Sequence, residues 1–310
     1  MKVLALAGGV GGAKLVDGLA QILPPEDLTI VVNTGDDFQH LGLKICPDLD
    51  TVCYTLAGLA SPATGWGRDD ETWNAMESFT SLGGPEWFRL GDRDLGTHLE
   101  RTRQLQNGRT LSQVTQSFCE IWGIGPKVLP MSDDPVPTIV ISDEGELPFQ
   151  EYFVQRQCEP KVSGFRFDGI RNAVPAPGVL SAIRDANLVV ICPSNPWVSI
   201  DPILALPGIR EALVAQKEFG LNVLAVSPII SGQAVKGPVT KMYQEMGIEP
   251  SAFAVADHYA NLLDLFVYDV VDINLDPAIK QLKVQTHRFQ TIMRSQKDRK
   301  RLASEVIDLM

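Results

Sequence analysis

The stretch KVLALAGGVGGAKLVDGLAQILPPEDLTIVVN, residues 2–33, decides how this chain folds. Its apolar run Lys2–Ala7 is typical of a buried β-strand, and Gly8–Gly12 then predicts a turn. Residues 13–23 carry apolar side chains at helical spacing and end at two prolines, which predicts a helix. A second apolar run, Leu28–Asn33, predicts another strand. A strand, a turn, a helix and a second strand in this order open a parallel α/β sheet.

The rest of the chain continues this pattern on both sides of a different middle section. Residues 62–127 are predicted to form a mainly helical insertion, with helices near 70–82, 92–106 and 111–122. Further strands are predicted at about 137–142, 149–156, Leu188–Cys192, Leu221–Val226, Ala252–Val255 and Leu265–Val270. Further helices are predicted within Leu204–Phe219, Asp257–Leu263 and 288–309. We therefore predict one α/β domain over 1–310, with a Rossmann-like, mostly parallel sheet, helices on both faces and the insertion over about 62–127.

Composition limits the function. The chain has 310 residues, 45% of them hydrophobic, which is enough for one large core. Its net charge of −11 argues against a non-specific nucleic-acid or membrane-surface binder. The first apolar run is too short for a signal peptide, and no stretch is apolar enough to span a membrane. The five scattered cysteines contain no CxxC pair, which favours a reducing cytoplasm and no structural zinc.

Four loops that follow predicted strands share one kind of composition. In open α/β sheets, ligands bind outside the carboxyl ends of the strands. The loops are GGVGGAK (8–14), NTGDD (33–37), PSNPWVSIDP (193–202) and SPIISGQAVKGP (227–238). All four are rich in Gly, Ser, Asn or Pro. We expect them to meet at one cleft.

The first of these loops favours a phosphate ligand. Its glycines, Gly8, Gly9, Gly11 and Gly12, would let backbone N–H groups approach an anion at the start of a helix. The loop matches neither the dinucleotide fingerprint, which needs a glycine at Lys14, nor the P-loop, which needs Gly-Lys-Ser/Thr. Lys14 either adds a point charge or lies exposed on the helix. The alternative is a tight turn that packing alone requires.

Three polar side chains in the other loops complete the predicted site for a nucleotide and its phosphates. Asn33 follows the second strand, and Ser194 and Asn195 follow the strand at Leu188–Cys192. Their hydroxyl and amide groups can hydrogen-bond a phosphate or a base edge. The alternative for Ser194 and Asn195 is a structured turn.

The stretch VVNTGDDFQHLGLKICPDLDT, residues 31–51, brings four aspartates close together: Asp36, Asp37, Asp48 and Asp50. One of the last two could be a helix cap. The other carboxylates are better explained by a hard cation, because Mg²⁺ binds one or two carboxylates, waters and substrate phosphates. We predict that Asp36 and Asp50 bind Mg²⁺, and that Asp37 and Asp48 support it or act as a base.

The insertion places charged and aromatic side chains near predicted helix starts: Trp66, Arg68, Asp92, Arg93, Asp94 and His98. All of them except Asp94 are predicted to bind an acceptor substrate. Helix capping is the alternative for Asp92, and Asp94 and His98 are spaced to share a helix face. Ser132 and Asp133, in MSDDP, lie in a predicted turn and are weaker members of the same set.

Taken in order, these segments resemble one protein family. GGVGGAK, VVNTGDD, ICPDLDTVCYTLAG, GWGRDDETWNA, LGDRDLGTHLER, LSQVT, LPMSDDPV, FQEYFV, SNPWVSI, LPGIR and SPIISG are similar to the 2-phospho-L-lactate transferase family of coenzyme F-420 biosynthesis. The resemblance runs from residue 1 to about 270. Each motif is weak alone, and the ordered set is specific. The tail after about 275 carries no family motif.

The resemblance implies a magnesium-dependent transferase. The donor would be a guanosine diphosphate ester of a three-carbon acid: phospholactyl, phosphoenolpyruvyl or phosphoglyceryl. The acceptor would be the ribityl hydroxyl of the deazaflavin FO, with GMP released and F-420-0 or its dehydro form produced. Arg68 and Arg93 would then offset the donor's charge, and Trp66 or Trp197 would pack on the deazaflavin. A homodimer is also implied.

Two other functions remain open at this stage. One is a non-catalytic regulator that binds a UDP-sugar or another nucleotide, of the related gluconeogenesis-factor type. The paired aspartates and LGDRDLGTH favour the transferase over it. The other is an NAD-dependent dehydrogenase, which the failed dinucleotide fingerprint makes less attractive.

Overall fold

A computed structural model describes residues 1–235 and 237–310 and contains a central sheet of seven parallel strands. The strands are β1 (Val3–Ala7), β2 (Leu28–Val32), β3 (Lys127–Pro130), β4 (Leu188–Ile191), β5 (Asn222–Val226), β6 (Leu265–Asp269) and β7 (Gln285–Phe289). Their order across the sheet is β7-β6-β5-β4-β1-β2-β3. The predicted Rossmann-like sheet is confirmed, with the strand order reversing between β1 and β4.

Both faces of the sheet are buried, which explains the unbroken apolar runs. Successive side chains of a strand point to opposite faces. Val3, Ala5 and Ala7 of β1 therefore pack into one hydrophobic core. Leu4 and Leu6 pack into the other. Helices must cover a parallel sheet on both sides, as the sequence predicts.

The helices divide between these two cores. They are α1 (Gly9–Ala20), α2 (Pro47–Leu56), α3 (Asn74–Ser81), α4 (Asp92–Gln106), α5 (Leu111–Ile121), α6 (Val179–Asp185), α7 (Asp201–Ala205), α8 (Ile209–Lys217), α9 (Val239–Glu245), α10 (Ala252–Tyr259), α11 (Asp276–Gln281) and α12 (Gln296–Ile307). Side chains of α1, α2, α5 and α12 enter the first core. Side chains of α6 to α11 enter the second. None of the helices in the described ranges is long and apolar enough to cross a membrane.

Three of these helices, α3, α4 and α5, lie in the predicted helical insertion. Two side chains of α5, Leu111 and Cys119, belong to the core on the sheet. Met76 of α3 instead joins a small separate core with Ile45 and Leu90. Helix α4 contacts both cores, because Leu95 packs against the small core and Leu105 against the core on the sheet. The division of the chain into a domain and an inserted lobe stays a prediction.

Smaller elements surround the sheet. Phe38–His40 and Leu43–Ile45 form a hairpin directly before α2. Thr138–Ser142, Gly145–Pro148 and Val162–Phe167 form an antiparallel sheet. Two residues on each side, Ile229–Ile230 and Gln233–Ala234, pair in a second hairpin. Short helical turns occupy Pro25–Asp27, Glu151–Gln155, Pro196–Ile200 and Val270–Leu275.

Several predicted elements are wrong. The strand at Ala252–Val255 is the start of α10, where the Ser251 hydroxyl accepts a hydrogen bond from the Ala254 N–H. The segment at 149–156, predicted as a strand, contains a π-helical turn. The prediction was wrong because short apolar runs do not distinguish a strand from a helix. The glycine turn is itself the first turn of α1.

Two strands of the central sheet were missed, and they are its two edges. β3 is short and ends at Pro130, and β7 has the sequence QTHRF, which carries no apolar run. The helix predicted at 288–309 therefore begins only at Gln296. β7 has no fully buried side chain and so carries no apolar run, whereas β3 is mostly buried but too short for a clear pattern.

Candidate active site

The turn after β1 and the loop after β4 meet where the strand order of the sheet reverses. The Ser194 hydroxyl accepts a hydrogen bond from the Gly8 N–H at 3.2 Å and donates one to the Gly8 carbonyl at 2.8 Å. Ser194 is buried, so its hydroxyl fastens the two loops together. Such a crevice is the usual ligand site in open α/β sheets.

Close packing within the chain accounts for three of the four glycines in the turn. A Cβ at Gly8 would lie 2.6 Å from Asp48 Oδ2, and one at Gly11 only 2.2 Å from the Pro193 carbonyl. A Cβ at Gly12 would lie 2.6 Å from Ser194 Oγ. The number of glycines is thus no longer an argument for phosphate, and the predicted phosphate contacts, including Lys14, stay predictions.

Asn33 joins two of the predicted aspartates. Its side chain is fully buried at the end of β2. Asn33 Nδ2 donates to Asp36 Oδ1 at 3.0 Å, to Asp48 Oδ2 at 2.9 Å and to the Val198 carbonyl at 3.0 Å. An amide nitrogen carries two hydrogens, so these three acceptors share them. Asn33 therefore holds Asp36 and Asp48 beside each other. Its side chain, which was predicted to contact a nucleotide, does not face open solvent.

Asp36 and Asp48 form a buried pair of like charges. Burial, with repulsion from Asp48, raises the pKa of Asp36 well above its ordinary value. Burial raises the pKa of Asp48 to about 6, although hydrogen bonds from Asn33 and the Gly9 N–H oppose the shift. Two neighbouring carboxylates with raised pKa values lack sufficient positive charge. A divalent cation bound between them would supply it.

The other two aspartates already have cations. Asp37 Oδ2 lies 3.0 Å from Lys44 Nζ and accepts a hydrogen bond from Cys46 Sγ at 3.1 Å. Burial opposes the charge of Lys44, yet Asp37 raises the pKa of this lysine, so Lys44 stays protonated. The second oxygen, Asp37 Oδ1, is buried and has no hydrogen-bond partner among the described residues.

Arg101 of α4 is the cation beside Asp50, as Lys44 is the cation beside Asp37. Both guanidinium NH₂ groups contact the Asp50 carboxylate, one at 3.1 Å from Oδ2. The Arg101 side chain is only 3% exposed, and Asp50 raises its pKa. His98 Nδ1 lies 3.7 Å from Asp50 Oδ2. Single ligand atoms of Asp50, Asp94 and His98 lie within 4.8 Å of one another, but the guanidinium already acts as their cation.

The predicted magnesium ligands, Asp36 and Asp50, are therefore not the pair that the contacts bring together. The charges that act on Asp36 come from Asp48 and Asp37. Burial raises the pKa of Asp50, and the charge that opposes this rise most strongly is that of Arg101. Asp36 instead shares the amide of Asn33 with Asp48. Sequence alone assigned all four aspartates to one cluster and could not divide them into these pairs.

A pocket of about 150 Å³ opens on the insertion. Trp66, which is 50% exposed, lies at its surface, and the guanidinium carbon of Arg89 lies 4.4 Å from the ring centre of Trp73. It is lined by Ser61, Thr64, Trp66, Gly67, Arg68, Asp69, Asp70, Glu71, Trp73, Arg89, Gly91 and Asp94. Of the predicted acceptor contacts, Trp66 and Arg68 thus lie together at a cavity.

The remaining predicted acceptor residues lie elsewhere. Asp92 accepts hydrogen bonds from Thr72 Oγ1 and the Asn74 and Ala75 N–H groups, which lower its pKa to about 2 and cap α3. Arg93 is exposed, and its backbone N–H donates to Glu71. His98 is 2% exposed and does not line the pocket.

Ser132 and Asp133 hold the loop after β3 in place. The Ser132 hydroxyl donates to the Val174 carbonyl at 2.6 Å. The Asp133 carboxylate accepts hydrogen bonds from the N–H and hydroxyl of Ser112, at the start of α5. These contacts give both side chains a structural explanation.

The loop SNPWVSI also packs mainly against its own chain. Asn195 Oδ1 accepts the Trp197 N–H at 3.1 Å, and Asn195 Nδ2 faces the Met242 sulfur at 3.3 Å. Trp197 is 9% exposed and its ring centre lies 4.0 Å from that of Tyr243. Trp197 is therefore a core residue, which leaves Trp66 as the exposed aromatic of the two predicted to meet the deazaflavin.

The fourth predicted loop, 227–238, is held by a bond within the loop and by a contact with the helical turn Val270–Leu275. The Ser227 hydroxyl donates to the Ile229 carbonyl, and the Ser231 N–H contacts the Asp272 carboxylate. Lys236 of this loop lies outside the described residues.

Sequence reasoning missed Lys44, Arg89 and Arg101. Lys44 and Arg89 lie outside the family motifs, and Arg101 is the last residue of LGDRDLGTHLER, where other side chains were singled out. One signal was present for Arg101, because it follows His98 by three residues on a predicted helix and so shares its face. Lys44 could not be found in this way, because its contact with Asp37 depends on a hairpin that the sequence did not predict.

Carboxylates gathered at the switch point of a Rossmann-like sheet are typical of a protein that binds a nucleotide or another phosphorylated ligand. The family model described as 2-phospho-L-lactate transferase CofD matches residues 3–309. The chain belongs to this family, as the sequence motifs predicted. The comparisons give no support to the regulator alternative.

Relatives of two kinds are similar over nearly the whole chain. A phosphoenolpyruvate transferase of Streptomyces griseus is 47% identical over 278 residues, covering 88% of this chain and 86% of its own. One from Streptomyces coelicolor is 42% identical and covers 100% and 98%. A 2-phospho-L-lactate transferase of Methanosarcina barkeri is 40% identical and covers 99% and 98%.

The fold is shared with a more distant solved structure. A UPF0052-family protein from Bacillus halodurans has a TM-score of 0.64 and 17% identity, with 99% of this chain and 98% of that chain covered.

Proposed function

We propose that this enzyme transfers a phospho-three-carbon-acid group from a guanosine diphosphate ester to the ribityl hydroxyl of FO. GMP leaves, and F-420-0 or its dehydro form is the product. Family membership and the transferase names of the relatives support this reaction. The observation that carries it is the buried pair Asp36 and Asp48 at the switch point, where the phosphates of a nucleotide donor would lie.

Asp36 and Asp48 are the proposed ligands of Mg²⁺. Their shared contact with Asn33 supports this choice over Asp36 and Asp50, because Asp50 is already paired with Arg101. Oxygen ligands from one or two carboxylates suit Mg²⁺. When bound there, the ion would neutralise charge on the donor's phosphate oxygens.

Asp37 is the proposed acceptor of the ribityl hydroxyl proton. In the reaction the hydroxyl oxygen bonds to the phosphorus that bears the acid, and the bond from that phosphorus to the GMP oxygen breaks. Asp37 has one buried oxygen, Oδ1, without a hydrogen-bond partner among the described residues, so this atom can accept a new donor. Lys44 forms an ion pair with the other oxygen, Oδ2, and so fixes the orientation of the Asp37 carboxylate.

The pocket beside α4 is the proposed site for FO. Trp66 offers half of its surface to a flat ring system, and Arg68 lines the same cavity. Stacking on an exposed indole would hold the deazaflavin, and the insertion would exclude water, which competes as an acceptor. The donor's acid is proposed to be phosphoenolpyruvate first and phospholactate second, following the identities of the relatives.

The reaction is tested by incubating the pure protein with FO, MgCl₂ and each of the three guanylyl donors, and by following product mass. A product of F-420-0 type with one donor supports the proposal and identifies the acid. Loss of product with EDTA supports the metal. If neither GDP nor FO binds, the proposal fails.

Assembly and location are part of the same proposal. We propose a cytoplasmic homodimer. Val270, Val271 and Ile273 are each more than two-fifths exposed within one short segment, which supports a contact between copies. The scattered cysteines, which include no CxxC pair, support a reducing compartment. Light scattering after size exclusion tests the dimer, and fractionation of cells tests the location.

A further inference from the structure

A row of buried polar side chains connects the pocket with helix α2. The Tyr54 hydroxyl donates to Asp94 Oδ1 at 2.7 Å, and His98 Nε2 lies 3.2 Å from Asp94 Oδ2. On the other side of the ring, His98 Nδ1 lies 3.1 Å from an Arg101 NH₂ group, which also donates to Asp50. Asp94 lines the pocket, and α2 carries both Tyr54 and Asp50, the latter two residues after Asp48, so α2 contacts the row at both ends.

Arg101 determines which nitrogen of His98 carries the proton. A guanidinium can only donate hydrogen bonds, so His98 Nδ1 must accept and Nε2 must carry the hydrogen. That hydrogen faces the Asp94 carboxylate, although the two atoms are not aligned for a strong hydrogen bond. The imidazole therefore lies between the Arg101 guanidinium and the Asp94 carboxylate.

Neither His98 nor Arg101 can contact FO. Their side chains are 2% and 3% exposed, and neither lines the pocket. Both belong to α4, the helix that carries Asp94 at its first turn. Arg101 also donates to the Lys44 carbonyl at 3.4 Å, and the Lys44 N–H donates to Thr102 at 2.9 Å. Helix α4 is thus fastened both to α2 and to the hairpin that carries Lys44.

We propose that His98 and Arg101 are positioning residues that fix the FO pocket relative to the carboxylates Asp36, Asp37 and Asp48. This rests on the proposed function, because it takes the pocket as the acceptor site. Arg101 holds Asp50, and through Asp50 the first turn of α2. His98 transmits the position of Arg101 to Asp94 at the pocket wall. A shift of this row moves the acceptor hydroxyl away from the reacting phosphorus.

Four variants test the proposal. His98→Gln keeps an acceptor and a donor at about the same places, and His98→Leu removes both. Arg101→Lys keeps the charge and loses the paired contact with Asp50. Leu99→Ala is the matched control, since Leu99 lies on the same helix and is 52% exposed. The measurements are kcat, KM for FO, KM for the donor, FO affinity by fluorescence, and Tm.

We expect His98→Leu and Arg101→Lys to lower kcat/KM for FO by about 10- to 100-fold, because small misplacement of reactants is costly. The KM for the donor should change by less than about twofold, and His98→Gln should recover most of the loss. Equal losses for both substrates, or no recovery in His98→Gln at unchanged Tm, would overturn the proposal.

Measurements on the wild-type protein distinguish a failure of this proposal from a failure of the proposed function. If wild type forms no product with any donor, the proposed reaction fails. FO affinity then still decides the positioning proposal, because His98→Leu should weaken FO binding and Leu99→Ala should not. Unchanged FO affinity in His98→Leu would overturn it.

Discussion

The division of the four aspartates into two pairs predicts opposite effects of two similar substitutions. Asp48→Asn removes one of two repelling carboxylates, and Asp50→Asn removes the partner of a buried arginine. Each change removes one charge and little volume. We expect Asp48→Asn to stabilise the metal-free protein and to abolish its response to Mg²⁺. We expect Asp50→Asn to destabilise the protein and to leave the response to Mg²⁺ intact.

The gain from Asp48→Asn follows from its pKa. A rise from 3.8 to about 6 is roughly two units, or about 3 kcal/mol of lost stability when the carboxylate is ionised. The folded state holds this proton more tightly than the unfolded state, so the loss grows as pH rises from about 4 to 6 and is complete above 6. The amide that Asp48→Asn introduces would mismatch the amide of Asn33, costing about 1 kcal/mol. A net gain of about 1–2 kcal/mol remains.

The loss from Asp50→Asn has the opposite sign. Removing one partner of a buried ion pair costs about 3–5 kcal/mol, because the other charge stays buried without compensation. With roughly 2 °C of Tm per kcal/mol for a chain of this size, Asp48→Asn should raise Tm by about 2–4 °C and Asp50→Asn should lower it by about 6–10 °C.

Thermal melts at about pH 7.5 and pH 4, with and without saturating MgCl₂, measure all of these effects. Wild type should gain stability from Mg²⁺ at the higher pH only. The advantage of Asp48→Asn should vanish at the lower pH, where wild-type Asp48 is protonated. If Asp50→Asn loses the Mg²⁺ response while Asp48→Asn keeps it, the reasoning is refuted and Asp50 is the metal ligand.

Three further predictions concern single side chains. Trp66→Ala should raise the KM for FO about tenfold and leave the KM for the donor unchanged in steady-state assays. An unchanged KM for FO would show that Trp66 does not bind FO. Lys44→Met should lower the free energy of unfolding by about 3 kcal/mol in denaturant titrations, because Asp37 loses its buried cation; a neutral result would contradict that pairing. Gly11→Ala should lower the free energy of unfolding by about 2–3 kcal/mol in the same titrations, because the added Cβ meets the Pro193 carbonyl. The control Gly96→Ala should not destabilise the protein, because its added Cβ meets no atom within 4 Å.

The fold was predictable where strands are buried on both faces. Strands β1, β2 and β4 to β6 each carry an apolar run, and their order with the helices predicts a parallel sheet. The edge strands β3 and β7 carry no such signal. Local pattern also failed at Ala252–Val255, where a capping serine starts a helix.

The site was predictable as a set of loops and less so as a set of contacts. The sequence grouped Asp36 with Asp48 because both lie within residues 31–51, and it placed Asn33 in the same strand-end loop as Asp36. It could not predict that Arg101 reaches Asp50 across 51 positions of sequence. Ion pairs between distant segments depend on packing angles, which composition and spacing do not determine.

The charge balance of the site explains how an acidic protein can receive an anionic donor. Asp37 with Lys44, and Asp50 with Arg101, are neutral pairs, so they add little net field at the cleft. The negative field there comes mainly from Asp36 and Asp48. One divalent cation balances these two charges, and the nearby pocket adds Arg68 and Arg89. The net charge of −11 on the whole chain therefore does not oppose the donor at the cleft, because salt screens distant surface charges within about 8–10 Å.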